Sequence, residues 1–114
     1  MKALIVDDSR FIVEGIHQGV CWEKLGIEAV FKAYNKTQAL NLFREHLADI
    51  IICDIEMPGG NGFELVEEIR SMDLPVQVLF LTSYPDFQYA QRAIKLGTVD
   101  YLLKPVEFHN LEDA

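Results

Sequence analysis

Two apolar runs of this chain, 49–53 (DIIIC) and 76–82 (VQVLFLT), show little alternation of polar and apolar residues. A strand that is apolar on both sides must be covered on both sides, the condition of an interior strand in a parallel sheet. Parallel neighbours cannot be joined by a tight hairpin; each needs a crossover, usually a helix. The chain supplies those crossovers.

Shorter strand-like runs alternate with longer stretches of helical period five times over. Strands are expected at 2–6, 27–34, 49–53, 76–82 and 100–103. The first helix is expected over 9–20, with Ser9 as its N-cap and Ile12, Ile16 and Val20 on one face. The second, over 36–47, would turn Ala39, Leu40, Leu42, Phe43 and Leu47 inward. The third, over 62–72, spaces Phe63, Val66 and Ile69 for burial. A fourth over 85–97 ends at Gly97, and a last one starts after Pro105 over 106–114. Right-handed crossovers turn this order into a three-layer α/β sandwich with helices on both faces of a parallel sheet.

With 114 residues, half of them hydrophobic, the chain makes one domain with a sizeable core. Its formal net charge of -8 argues against direct nucleic-acid contact by this domain, since phosphate backbones are repelled. Cys21 and Cys53 give neither a disulfide framework nor zinc spacing, which fits the cytoplasm. The opening MKALIVDDS has too short an apolar run for a signal peptide or a membrane span. Phe63, Phe80 and Phe87 read as core residues, and His17, His46 and His109 show no ligand spacing. Trp22 falls between the first helix and the second strand, at the sheet end opposite Asp54.

In an open α/β sheet, ligands bind beyond the carboxyl ends of the strands. The residues there are Asp7 and Asp8 after strand 1, Asp54 after strand 3, Thr82 and Ser83 after strand 4, and Lys104 before Pro105 after strand 5. Singly, each has a plain structural use: Asp7, Asp8, Thr82 and Ser83 as caps, Asp54 as a turn residue, Lys104 as a solvated charge. Together they place three carboxylates, a hydroxyl and an amine on one rim. Three close carboxylates repel unless a cation joins them. Oxygen ligands that leave room for water suit Mg2+, which also binds phosphate oxygens. Asp54 is then a nucleophile able to form an aspartyl phosphate, with Lys104 and Thr82 binding the phosphoryl oxygens. A sharp turn that aims Lys104 back at Asp54 predicts a cis Lys104–Pro105 bond.

The segments LIVDDS, IICDIEMPGGNGFELV, VLFLTS and VDYLLKP resemble the receiver domain of bacterial two-component response regulators along the whole chain. The resemblance implies a flavodoxin-like, five-stranded parallel sheet of order 2-1-3-4-5. It implies that Asp54 is the phosphoacceptor. Mg2+, or Mn2+ in its place, would be held by Asp7, Asp8, Asp54 and the Glu56 backbone carbonyl. Thr82, Ser83 and Lys104 would bind the phosphoryl group, and Tyr101 would be the aromatic that turns inward on activation. The donor would be a sensor histidine kinase. CWEKLGIEAV and SYPDFQYAQRAIKLGTVDYLLKPV are similar to the branch fused to an AraC-type, DNA-binding output domain. Residues 1–114 would then be the receiver, with the last helix truncated and the output domain absent. Asn35 followed by KTQAL departs from that branch and is expected to alter surface rather than chemistry. Signal output is expected through helix 4, strand 5 and helix 5, with a weak phosphorylation-dependent homodimer.

Two other functions fit parts of the pattern. A phosphohydrolase of the haloacid-dehalogenase type also uses an aspartate nucleophile with Mg2+, but needs a second aspartate where this chain has Glu56. A receiver-like domain that binds partners without phosphorylation would not need all of these groups. The favoured reading is a regulatory phosphoacceptor, not an enzyme, that assists its own phosphorylation and dephosphorylation.

Overall fold

The computed structural model describes residues 1–55, 61–72, 74–82 and 100–103, the last four as backbone. Its elements run β1 (Lys2–Val6), α1 (Arg10–Gly19), a 3-10 turn (Trp22–Leu25), β2 (Ala29–Ala33), α2 (Lys36–His46), β3 (Ile50–Asp54), α3 (Gly62–Ser71) and β4 (Gln77–Thr82). The backbone of Asp100–Leu103 forms a further segment, β5. The strands stand in the order β2-β1-β3-β4, all parallel, and β5 pairs parallel to the outer side of β4. The helices expected over 85–97 and 106–114 lie outside the described residues.

The unalternating runs are explained by what covers them. Successive strand side chains point to opposite faces. Leu4, Val6, Ile51, Cys53, Val78 and Phe80 pack with α2 and α3. Ile5, Ile52, Leu79 and Leu81 pack with Val13 and Ile16 of α1 and with Val20, its C-cap. Both faces of β1, β3 and β4 are therefore dry. Phe63 and Phe80 meet edge to face, with ring centroids 4.9 Å apart, and both are fully buried. The edge strand β2 keeps Lys32 and is only half-buried over most of its length.

Local chemistry sets the helix ends. The Ser9 hydroxyl accepts from Ile12 N at 3.4 Å and caps α1. The Asn35 side chain accepts from Gln38 N at 2.8 Å and caps α2. Asn61 and Glu64 form a reciprocal capping box at the start of α3. Ile12, Ile16 and Val20 do share the face packed on the sheet, which also takes the fully buried Val13. One expectation on inward faces needs correction. Leu47 is 52 % exposed rather than inward, because it takes a left-handed conformation (φ 53°) to close α2 through Leu47 N to Phe43 O, 2.7 Å. That conformation swings its side chain off the helix face.

Trp22 opens the 3-10 turn ahead of β2, where its indole donates to His17 O at 2.9 Å and Ile27 N reaches Trp22 O at 3.0 Å. That is the amino end of the strands, as expected. Lys36, part of the KTQAL departure, bonds Glu68 of α3 at 2.6 Å and ties the two helices together.

Gly62 has no room for a side chain. Its N–H donates to Ile55 O at 2.9 Å, and a Cβ there would overlap the Asp54 carbonyl oxygen and touch Cys53 Sγ at 3.0 Å. The obstacle is backbone, which cannot swing aside. Gly62→Ala is expected to destabilise the domain by about 1–3 kcal/mol, the usual cost of overpacking, read from urea denaturation.

A second prediction concerns Lys32 and Glu14, which join β2 to α1 at 2.8 Å. The hydrogen bond from Lys32 holds Glu14 below the ordinary carboxylate value, and the same bond raises Lys32. A lowered carboxylate stabilises the fold above its unfolded-state value and loses that contribution as pH falls through the folded one. Urea midpoints of wild type and Lys32→Met should therefore differ most near neutral pH and converge in acid. A gap unchanged down to the acid limb would show that the pair contributes nothing through charge.

Candidate functional site

Sheet register decides which side chains meet at the carboxyl rim. Val6 stands level with Cys53, so the next residues, Asp7 and Asp54, emerge together. Asp54 stands level with Leu81, one residue before Thr82 at the end of β4. Thr82 in turn is level with Leu103.

Asp7 is held tightly. Its N–H donates to Ala33 O at 3.2 Å, and its Oδ1 accepts from Ser9 N at 3.0 Å. The cap of α1 and the orientation of this carboxylate are thus one local structure. Asp54 is the last residue of β3 and Thr82 the last of β4; Asp7, Asp54 and Thr82 are each no more than 1 % exposed. Asp8 is exposed. Cys53 is buried and its thiol donates to Asp54 O at 3.2 Å, so it is a packing residue against the site's backbone.

Carboxylate oxygens of Asp7, Asp8 and Asp54 all lie within 4.8 Å of one another. Two are buried and one faces water. Bringing three such groups together, two of them out of water, is costly unless positive charge or protons neutralise them. The donor set is all oxygen, and the exposed Asp8 side leaves room for water ligands. This suits a small hard cation such as Mg2+, which keeps several waters and needs few protein ligands. Asp54 is the buried member at the end of β3, and Thr82 ends the neighbouring strand.

Of the site residues expected from sequence, Asp7, Asp8 and Asp54 are brought together, and Thr82 stands on the adjacent strand end. Tyr101 contributes backbone to β5, opposite Phe80. Glu56, Ser83, Lys104 and Pro105, including the expected cis bond, lie outside the described residues. Sequence reasoning missed two supports. The Ser9 N–H that orients Asp7 was hidden because Ser9 already had a reading as a cap. Gly62 supports the Asp54 backbone from behind, and its only sequence signal is a glycine at the first position of a helix.

Comparison with known proteins agrees with this geometry. The family model for the response regulator receiver domain matches residues 3–114. The chain is 42 % identical over 111 residues to an uncharacterized response regulatory protein of Staphylococcus epidermidis. It is 38 % identical to the transcriptional regulatory protein HptR of Staphylococcus aureus. Each match covers 97 % of this chain but 43 % of the relative, so the chain spans less than half the length of these curated relatives. Among solved structures it superposes on the receiver domain of AraT, a response regulator from Geobacillus stearothermophilus, with a TM-score of 0.89. That pair is 36 % identical, and the match covers 98 % of this chain and 87 % of the other. A two component transcriptional regulator AraC from Clostridium phytofermentans gives a TM-score of 0.86 at 26 % identity, covering 99 % and 86 %. With a matching family model over nearly its whole length and acidic strand ends gathered on one rim, the chain belongs to the response regulator receiver domains, the phosphoacceptor modules of two-component systems.

Proposed function

We propose that Asp54 is the phosphoacceptor and that the carboxylate rim is a Mg2+-assisted phosphoryl-transfer site. The observation that carries this reading is the convergence of Asp7, Asp8 and Asp54 within 4.8 Å, with Asp54 buried at the end of an interior strand. A carboxylate oxygen of Asp54 attacks phosphorus and forms a new P–O bond. The donor's bond to phosphorus breaks, P–N in a phosphohistidine of a sensor kinase or P–O in an acyl phosphate, and the electron pair leaves with the donor. Asp7, Asp8, Asp54 and the Glu56 carbonyl would hold Mg2+, with Mn2+ able to replace it; the ion supplies charge neutralisation for the transferred group. Thr82, Ser83 and Lys104 bind the phosphoryl oxygens.

Phosphorylation then draws Thr82 inward and lets Tyr101 turn in, biasing the face made by helix 4, strand 5 and helix 5. The parallel pairing of Asp100–Leu103 with β4 supports a sheet of five strands in the order 2-1-3-4-5, with this face at its edge. The domain works in the cytoplasm as a regulatory element rather than a turnover enzyme. Its output would be transcriptional, as the name of the Staphylococcus aureus relative suggests. The greater length of the relatives and the Clostridium phytofermentans neighbour favour a linked AraC-type DNA-binding domain, with a weak homodimer formed on phosphorylation.

Incubation with Mg2+ and acetyl phosphate is expected to add one phosphoryl group by intact mass, and Asp54→Asn to lose it. Equal uptake by the variant would refute the assignment. Because the three carboxylates repel, Mg2+ should also stabilise the fold by mass action. At tenfold over its Kd the gain is about 1.4 kcal/mol, a Tm rise of roughly 5 °C. Asp8→Ala should remove most of that rise; an equal rise in the variant would place the ion elsewhere.

A further inference from the structure

Beside the carboxylate rim lies a cation that the phosphoacceptor reading does not use. Arg10 is the first residue of α1, two positions after Asp8. Its guanidinium carbon lies 4.2 Å from the centroid of the Tyr34 ring. Tyr34 follows Ala33, whose carbonyl accepts from Asp7 N, so ring and carboxylate rim share the same end of the sheet. The ring packs against the α1-side core and is a fixed platform. The acidic neighbour one turn along α1, Glu14, is engaged by Lys32 at 2.8 Å. Among the described residues, no carboxylate lies within ion-pair distance of Arg10.

A guanidinium stacked on an aromatic face keeps its N–H edge available in the plane of the group. That edge matches the oxygens of a phosphoryl group, which it can bind through two parallel hydrogen bonds. The need for such a contact is electrostatic. A dianionic donor must approach three carboxylates on a chain of net charge -8. At physiological salt, charges beyond about 8 Å are screened, so a cation at this end of the sheet counts for more than charges elsewhere on the domain.

We propose that Arg10, laid on Tyr34, is an anion contact that receives the phosphoryl group of the incoming donor on the β1–β2 side of the site. It rests on Asp54 being the phosphoacceptor. Arg10 is a specificity residue: it sets how readily dianionic donors are captured, while Asp54 and the metal ligands set the chemistry. Tyr34 is a positioning residue that acts through Arg10.

The test is the initial rate of phosphorylation against donor concentration, at saturating Mg2+ and at several salt concentrations. The donors are acetyl phosphate and phosphoramidate, whose P–N bond is that of a phosphohistidine. Arg10→Gln is expected to raise the half-saturating acetyl phosphate concentration about three- to tenfold, the range of an exposed charge-assisted contact. The saturated rate and the Mg2+-induced Tm rise should be retained, and the rate should fall less steeply with salt. Arg10→Lys should recover the salt dependence but only part of the capture. Tyr34→Leu should weaken capture in wild type and add nothing in Arg10→Gln. An effect with both donors assigns the contact to the phosphoryl group whatever its source. An effect with acetyl phosphate alone would place the contact on that donor's acyl group and overturn the proposal. Unchanged half-saturation and salt dependence in Arg10→Gln, with wild type still modified at Asp54, would overturn the proposal and leave the phosphoacceptor reading standing. No modification of wild type at Asp54 would overturn both.

Discussion

The parallel register of β1, β3 and β4 is the constraint on which the rest depends. Val6 opposite Cys53, and Cys53 opposite Phe80, bring the ends of three strands to one level. A slip of one residue would turn every side chain of a strand to the other face. It would move Asp54 out of level with Asp7 and send Cys53 to the α1 side. The dry packing of both faces forbids that slip, because Leu4, Ile51 and Phe80 would lose their helix cover. The core therefore fixes the site's geometry as well as the fold's stability.

This arrangement sets stability against function at one place. Asp54 and Asp7 are as buried as the leucines beside them. An apolar residue would be cheaper at either position, since burying ionised carboxylates costs free energy that packing must offset. The fold meets that cost at positions tied into their surroundings. Asp7 is tied through its N–H to Ala33 and through its carboxylate to Ser9 N, and the carbonyl of Asp54 is pressed against Gly62. The Asp7 carboxylate and the Asp54 backbone are thereby held in place before any ligand arrives.

Charge is distributed in keeping with that role. Lys32 is spent on Glu14 and Lys36 on Glu68, so these two lysines stitch elements together rather than face the rim. Arg10 is different because its partner is a ring and not a carboxylate. Arg10 is exposed and lies at the same end of the sheet as the acidic cluster.

Much of this was legible in the residues themselves. Unalternating apolar runs determined a parallel sheet covered on both sides, and Asp54 at the end of such a run was legible as a residue of the carboxyl rim. Ser9 announced the cap of α1 because a cap depends only on residues two or three positions away. The inward face of α2 was legible in Ala39, Leu40 and Phe43 but not in Leu47, whose left-handed backbone ends the helix. Only the tertiary structure decided that the three carboxylates meet within 4.8 Å, that Gly62 abuts the Asp54 backbone, and that Arg10 lies on Tyr34. Local patterns follow from neighbours along the chain, whereas these distances follow from strand register and helix placement, which packing between residues remote in sequence alone determines.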